Sequence, residues 1–336
     1  MKTLFILLLW LLPAGMCAQE PFIDWDRLQN PVYEVEDWSV KDASMIYVEE
    51  SGLFYLFFSA FFHVGDRVNS HVVSVKTNDW INFSDPLFLW EGAELGYHGL
   101  CSPEVHQFEG TYVLTYNGWG DKAGKVNQLY YAVSGDLEKW DKHKPLGREI
   151  TAEYRAIDAA LAYHQETYFL FYKESRPFGH LPRVDLTRVA YASGLDGPWQ
   201  FVYAGYNQFT HQDRSLSNMI HENYRLLEID GTWYMQNTGY WPHDPHLYKI
   251  GGDADNKAWW TVWTDGILLD IPVEEGFNTA HRANAAHLQD WREYDGYYYL
   301  LYAGNTENES FWARGHNRLG LARSKDLITW EIPSSE

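Results

Sequence analysis

Cysteine is nearly absent from this sequence, with two in 336 residues, Cys17 and Cys101. Cys17 belongs to a leader, residues 1–18, formed by Lys2, an apolar run at 4–12, and the small residues Pro13, Ala14, Gly15 and Ala18. That pattern predicts cleavage after Ala18 and export to the periplasm or beyond. Cys17 raises lipid attachment as a rival, but Ala14 stands where that signal wants a branched apolar residue. Once the leader is removed Cys101 is alone, and an internal disulfide is excluded. A chain of this length can bury a large core without one. Positive charge is also scarce: 26 Lys and Arg face 46 Asp and Glu, a net −20. This disfavours nucleic acid and anionic lipid as partners. After residue 12 no segment approaches the roughly 20 apolar residues of a membrane-crossing helix, so no membrane insertion is expected. A sustained 3.6-residue period is missing too, which argues against a helical fold.

What the sequence has is aromatic residues, 17% of the chain, arranged in a repeat. Five aromatic strands recur at intervals of roughly 60 residues: Leu53-Phe54-Tyr55-Leu56, Thr111-Tyr112-Val113-Leu114, Thr167-Tyr168-Phe169-Leu170, Thr232-Trp233-Tyr234-Met235 and Tyr297-Tyr298-Tyr299-Leu300. Gly52, Gly110, Gly231 and Gly296 precede four of them, where a hairpin turn needs positive φ. The third copy has Gln165-Glu166, so a different turn is expected there. Downstream phrases such as Ser134-Gly135-Asp136-Leu137 and Ser324-Lys325-Asp326-Leu327 lead to Trp140 and Trp330. The fourth copy is degenerate, with only Asp253, Asp255 and Trp259-Trp260. Five all-β units repeated radially predict a five-bladed β-propeller, one domain over residues 19–336. A β-sandwich would not explain five similar units.

The first strand of each unit lines the channel of a propeller. Aligned on the aromatic strands, these first strands open with Lys41-Asp42-Ala43, Ser102-Pro103-Glu104, Ile157-Asp158-Ala159, His221-Glu222-Asn223 and Ala286-His287-Leu288. Four copies place a carboxylate at or near this point, and the fifth a histidine. An Asp at a strand start is commonly a turn residue, but the equivalence of the positions points to a shared site. Carboxylates confined together have divergent pKa values. One protonated and one ionised carboxyl are what cleavage of a glycosidic bond requires.

These residues resemble the five-bladed glycoside hydrolases of family 43 and their relatives in families 32, 68 and 117. Ser102-Pro103-Glu104-Val105-His106 with Gly110-Thr111-Tyr112 is similar to that family's second-blade phrase, and the likeness runs from about Asp42 to Trp330. It implies that Asp42 is the general base, Glu222 the general acid, and Asp158 an aspartate that holds the acid's pKa up and positions it. It also implies inversion, and arabinofuranosides, xylosides or galactosides of plant or algal glycans as substrates. A retaining fructan-type hydrolase and an inactive glycan-binding propeller are the alternatives. Ala43 and Ala159 depart from the family by standing where Pro often follows the aspartates, as does Asn223-Tyr224 after the acid.

Glu104 is a further candidate for substrate contact. Trp119, Trp241 and Trp312, each following an aromatic strand, are candidate sugar platforms. His287 could bond substrate, hold an acidic neighbour, or help hold a structural ion on the axis as in some relatives; no other cofactor is expected. His243, Asp244 and His246 lack a fourth ligand at a recognisable spacing and read as a solvated loop. Asn308-Glu309-Ser310 matches a glycosylation pattern that a bacterial leader would make meaningless.

Overall fold

The computed structural model describes residues 21–120, 125–217, 219–239, 243–306 and 317–333. The leader, Cys17, Trp241, Trp312 and the Asn308-Glu309-Ser310 triplet lie outside the described residues. The chain is built from short antiparallel strands in sequence order. The first group is β1 (Ser39–Val48), β2 (Leu53–Val64), β3 (Arg67–Thr77) and β4 (Phe88–Glu91). The second is β5 (Gly99–Phe108), β6 (Thr111–Trp119), β7 (Leu129–Ser134) and β8 (Asp141–Pro145). A third runs through β9 (Arg155–His164), β10 (Thr167–Phe178), β11 (Leu181–Ala192) and β12 (Gln200–Tyr206). The short β13 (Gln208–His211) joins the fourth, made of β14 (His221–Ile229), β15 (Thr232–Gly239), β16 (Pro245–Ile250) and β17 (Val262–Leu268). The last is β18 (His281–Asp290), β19 (Tyr298–Asn305), β20 (Arg318–Ser324) and β21 (Trp330–Glu331). The first two groups are joined by one parallel bridge, Ser70 to Gly99.

The first strands close a ring: β1 touches β5, β5 touches β9, β9 touches β14, β14 touches β18, and β18 touches β1. This is a β-propeller arrangement. Apolar clusters fill the joints between neighbouring groups. Val40, Phe58 and Leu319 pack in one, Phe57, Leu100 and Tyr130 in the next, and Tyr131, Leu161 and Leu170 in a third. Phe171 with Met235, and Leu247 with Leu300, occupy the remaining two. The alternation of each strand supplies both faces, so every sheet is buried on two sides.

The aromatic repeat marks the second strand of every group, as the sequence implied. One expectation is corrected. Gln165 and Glu166 take φ of 47° and 57°, the same left-handed pair that Glu109-Gly110 and Asp230-Gly231 form at 48°, 79° and 49°, 75°. The third hairpin therefore uses the same two-residue turn without glycine, at a cost of roughly 1–2 kcal/mol per left-handed residue. The Ser/Thr-x-Asp phrase is a second turn. Ser134 Oγ accepts from the N–H groups of Asp136 and Leu137 at 3.1 and 2.9 Å, and Asp136 Oδ1 accepts from Glu138 and Lys139. Thr77 with Asp79, and Ser324 with Asp326, repeat it.

Candidate active site

Every first strand carries one extra residue against its neighbour. The registers slip between Lys41 and Ser44, Cys101 and Glu104, Ile157 and Ala160, Glu222 and Arg225, and Asn284 and His287. Within each slip one residue is left-handed: Asp42, Ser102, Asp158, Asn223 and Ala285, at φ between 48° and 57°. These five β-bulges make the equivalences plain. Asp42 and Asp158 match each other, but their counterpart in the fourth group is Asn223, not Glu222. Glu222 stands one residue earlier, level with Lys41. Glu104 and His287 stand two residues later, level with Arg225. The carboxylates therefore do not share one position, as the alignment suggested; they occupy successive layers of the ring.

Asp42, Asp158 and Glu222 nevertheless converge. All three are buried and line one cavity of about 180 Å³, with Trp119 at its wall and edge-on to Phe61. Two lysines enter among them. Lys41 Nζ lies 3.2 Å from Asp42 Oδ1. Lys173, on β10, reaches Glu222 Oε2 and lies 3.7 Å from Asp158 Oδ2. Asn223 donates to Asp42 Oδ1, and Asn117 Oδ1 accepts from the Asp158 backbone N–H.

Burial pushes the Asp158 carboxyl up to about 6; Lys173 opposes the shift, while Glu222 and Asp42 reinforce it. Burial also pushes Glu222 up, but Lys173 and Lys41 outweigh it and hold Glu222 below the ordinary glutamate value. The direction is opposite to the expectation that Asp158 holds Glu222 up, because two ammonium groups were not in that account. Both lysines stay charged: burial alone would lower them, and the surrounding carboxylates raise them. The Cys101 thiol beside the site is driven up to about 12 by burial and then by Asp42 and Asp158, so it stays protonated.

Glu104 and His287 lie outside this cavity. Glu104 borders an adjoining cavity of about 20 Å³, room for one water molecule, which shares Asp42, Ser102, Asp158 and Asn223 with the larger one. His287 Nδ1 donates to Glu104 Oε2 at 3.1 Å, Arg225 donates to Glu104 Oε1 at 3.4 Å, and Gln289 donates to His287 Nε2 at 2.9 Å. Both ring nitrogens of His287 are thus engaged, so as placed it does not fit the axial ion that the resemblance allowed. Glu104 and His287 instead hold the inner strands together. His243, Asp244 and His246 are buried, contrary to the solvated loop expected. His243 stacks near His281, and Asp244 pairs with Arg282 at 3.3 Å. Among the described residues no group of three His, Cys, Asp or Glu side chains is placed so that it could hold a metal ion.

Sequence reasoning passed over Lys173, Arg155 and Arg183, which also line the cavity. The repeat points to charged residues of first strands. Lys173 sits in the second strand, opposite Ile157, directly after the apolar run Phe169-Leu170-Phe171-Tyr172. A lone lysine ending such a run was the available signal.

No family model and no curated protein matches this chain. Solved structures do. An α-L-arabinofuranosidase from Lactobacillus brevis superposes with a TM-score of 0.63 at 10% identity, over 91% of this chain and 98% of that one. The GH43_1 enzyme from Xanthomonas citri complexed with xylotriose gives 0.61 at 13%, over 90% and 93%. A GH43 β-xylosidase/α-arabinofuranosidase from a compost metagenome, in complex with xylotriose, gives 0.61 at 14%, over 90% and 97%. At these identities the likeness establishes the fold.

Proposed function

We propose that this chain is an exported glycoside hydrolase on a five-bladed propeller, cleaving its substrate with Asp42, Asp158 and Glu222. The observation that carries the reading is the convergence of these buried carboxylates, from three different first strands, on one cavity. Three buried acids are costly to a fold unless paired, and here they are paired by lysines that leave them facing the cavity. Export rests on the leader pattern alone.

In this reading Asp42 activates water, aided by Lys41 and Asn223, which fix the position of its carboxylate. Glu222 protonates the leaving oxygen. Lys173 lies between Glu222 and Asp158, and the carboxyl it leaves is the one that takes up a proton. When substrate draws Lys173 toward Asp158, Glu222 becomes the acid; when Lys173 returns, Glu222 is again ionised. Trp119 offers a face on which a sugar ring can stack. Inversion follows the resemblance.

The names of the structural neighbours make arabinofuranosides and xylosides the first substrates to try. The test is a panel of plant and algal oligosaccharides, with products followed by chromatography and the anomer released followed by NMR. Net inversion with loss of activity in Asp42→Asn supports the reading. Tight glycan binding without hydrolysis would replace it with an inactive binding propeller, and retention would replace the inverting mechanism.

A further inference from the structure

The candidate cavity reverses the charge balance of the whole chain. Acidic residues outnumber basic ones 46 to 26 overall, yet Lys41, Lys173, Arg155 and Arg183 line this cavity against Asp42, Asp158 and Glu222. Three of the four cations are matched. Lys41 pairs with Asp42, Lys173 with Glu222 and Asp158, and Arg183 with Asp185 at 3.1 Å. Arg155 is different. Its guanidinium reaches Ser175 Oγ at 3.4 Å, and among the described residues it makes no ion pair. Ser175 is itself turned toward Asp185.

Arg155 opens β9, three residues before Asp158, and pairs with Ser175 while Ile157 pairs with Lys173. Strand alternation puts Arg155, Ser175 and Lys173 on the same side of adjoining strands. Burial lowers the Lys173 ammonium and Glu222 and Asp158 raise it above its ordinary value; Arg155 is the one neighbouring charge that opposes them, and weakly. Two cations side by side, one of them without a carboxylate, form a fork-shaped donor set that suits an oxyanion.

We propose that Arg155 is a specificity determinant that binds an anionic substituent of the sugar, a carboxylate or a sulfate, so that the substrate is an acidic glycan. This rests on the glycosidase reading above. Lys41 and Lys173 stay with the catalytic carboxylates, while Arg155, at the edge of the same cavity, meets the substituent through paired N–H donors.

The test offers the full-length enzyme pairs of oligosaccharides that differ only in charge: uronate-bearing xylan and pectin fragments beside their carboxyl-reduced forms, and sulfated galactan fragments beside their desulfated forms. We expect kcat/KM to favour a charged member by about tenfold or more, the worth of one charge-assisted contact. Arg155→Ala should lose that preference through KM, and Arg155→Lys should keep part of it; thermal melts check that both variants fold. Equal or better cleavage of the neutral members overturns the proposal and leaves the glycosidase reading intact. If no glycan is cleaved, the glycosidase reading fails, and calorimetric titration of the same charged fragments decides the anion site alone. Binding that Arg155→Ala abolishes sustains it; absent binding, or binding the variant retains, overturns it. Millimolar inorganic phosphate is the remaining arm. Release of a sugar 1-phosphate that depends on phosphate and on Arg155 would assign the arginine to an attacking phosphate and overturn the substituent.

Discussion

The side-chain amide of Asn223 donates to Asp42 Oδ1 at 3.3 Å, across 181 positions of the chain. The two residues are the left-handed bulge positions of β14 and β1. Asn223→Ala should therefore leave the ring folded but let the Asp42 carboxylate turn. A loss of about tenfold in kcat, with little change in melting temperature, is expected. Steady-state kinetics and a thermal melt check it, and an unchanged kcat would remove Asn223 from the site.

Asp42→Asn and Glu222→Gln should each reduce turnover by about 10²–10⁴-fold on a natural substrate. The two variants separate on an aryl glycoside with an acidic phenol, which departs without a proton. Glu222→Gln should recover much of its rate there, and Asp42→Asn should not. The reverse pattern would exchange the two roles.

Lys173→Met removes the ammonium that holds Glu222 down. The Glu222 pKa should rise, by about 1–3 units for the loss of a close opposite charge. An acid must be protonated to act, so the alkaline limb of the kcat/KM profile should move to higher pH. A limb that stays in place would show that Glu222 is not the titrating acid.

Asp79 caps the turn after β3. Burial pushes its carboxyl up, but the N–H groups and amide of Asn82, with the Ile81 N–H and Thr77, outweigh this and hold it at about 2. Its folded value lies below the unfolded value of about 3.9. The stability it contributes is present above that value and is lost as pH falls toward 2. Asp79→Asn should flatten the fall in melting temperature between about pH 4 and 2, measured by circular dichroism. An unchanged slope would mean that other carboxylates carry the acid limb.

The all-β repeat was legible because strand pairing imposes a period that aromatic residues and turn glycines record directly. Asp42 and Asp158 could be matched for the same reason. The position of Glu222 could not. A bulge shifts side-chain phase by one residue, and glycine, the usual mark of a left-handed residue, is absent from all five. Asp, Ser, Asp, Asn and Ala stand there instead. His287 was aligned with Asp42 but belongs two residues deeper, where it holds Glu104. Lys173 showed only as a lone lysine ending an apolar run, because its contact with Glu222 crosses from one group to the next and local pattern carries nothing about it.

The ring is shut where the two ends of the described chain meet. Asn30 bonds Tyr302 and Leu321, Tyr33 bridges Leu319, and the Val40 N–H donates to Asn317 O, so the seam joins residues 272 to 291 positions apart. Ile23, Leu28 and Val40 share their apolar cluster with Leu319 and Leu321. Until residues near 320 are available, β1 has an uncovered apolar flank, and the cavity between β1, β9 and β14 lacks the closed ring that fixes its width. Partial chains should be inert and prone to associate. Loss of this seam, which ends at Val40 beside Lys41 and Asp42, would disable the site by letting its walls drift apart while every residue in it remained intact.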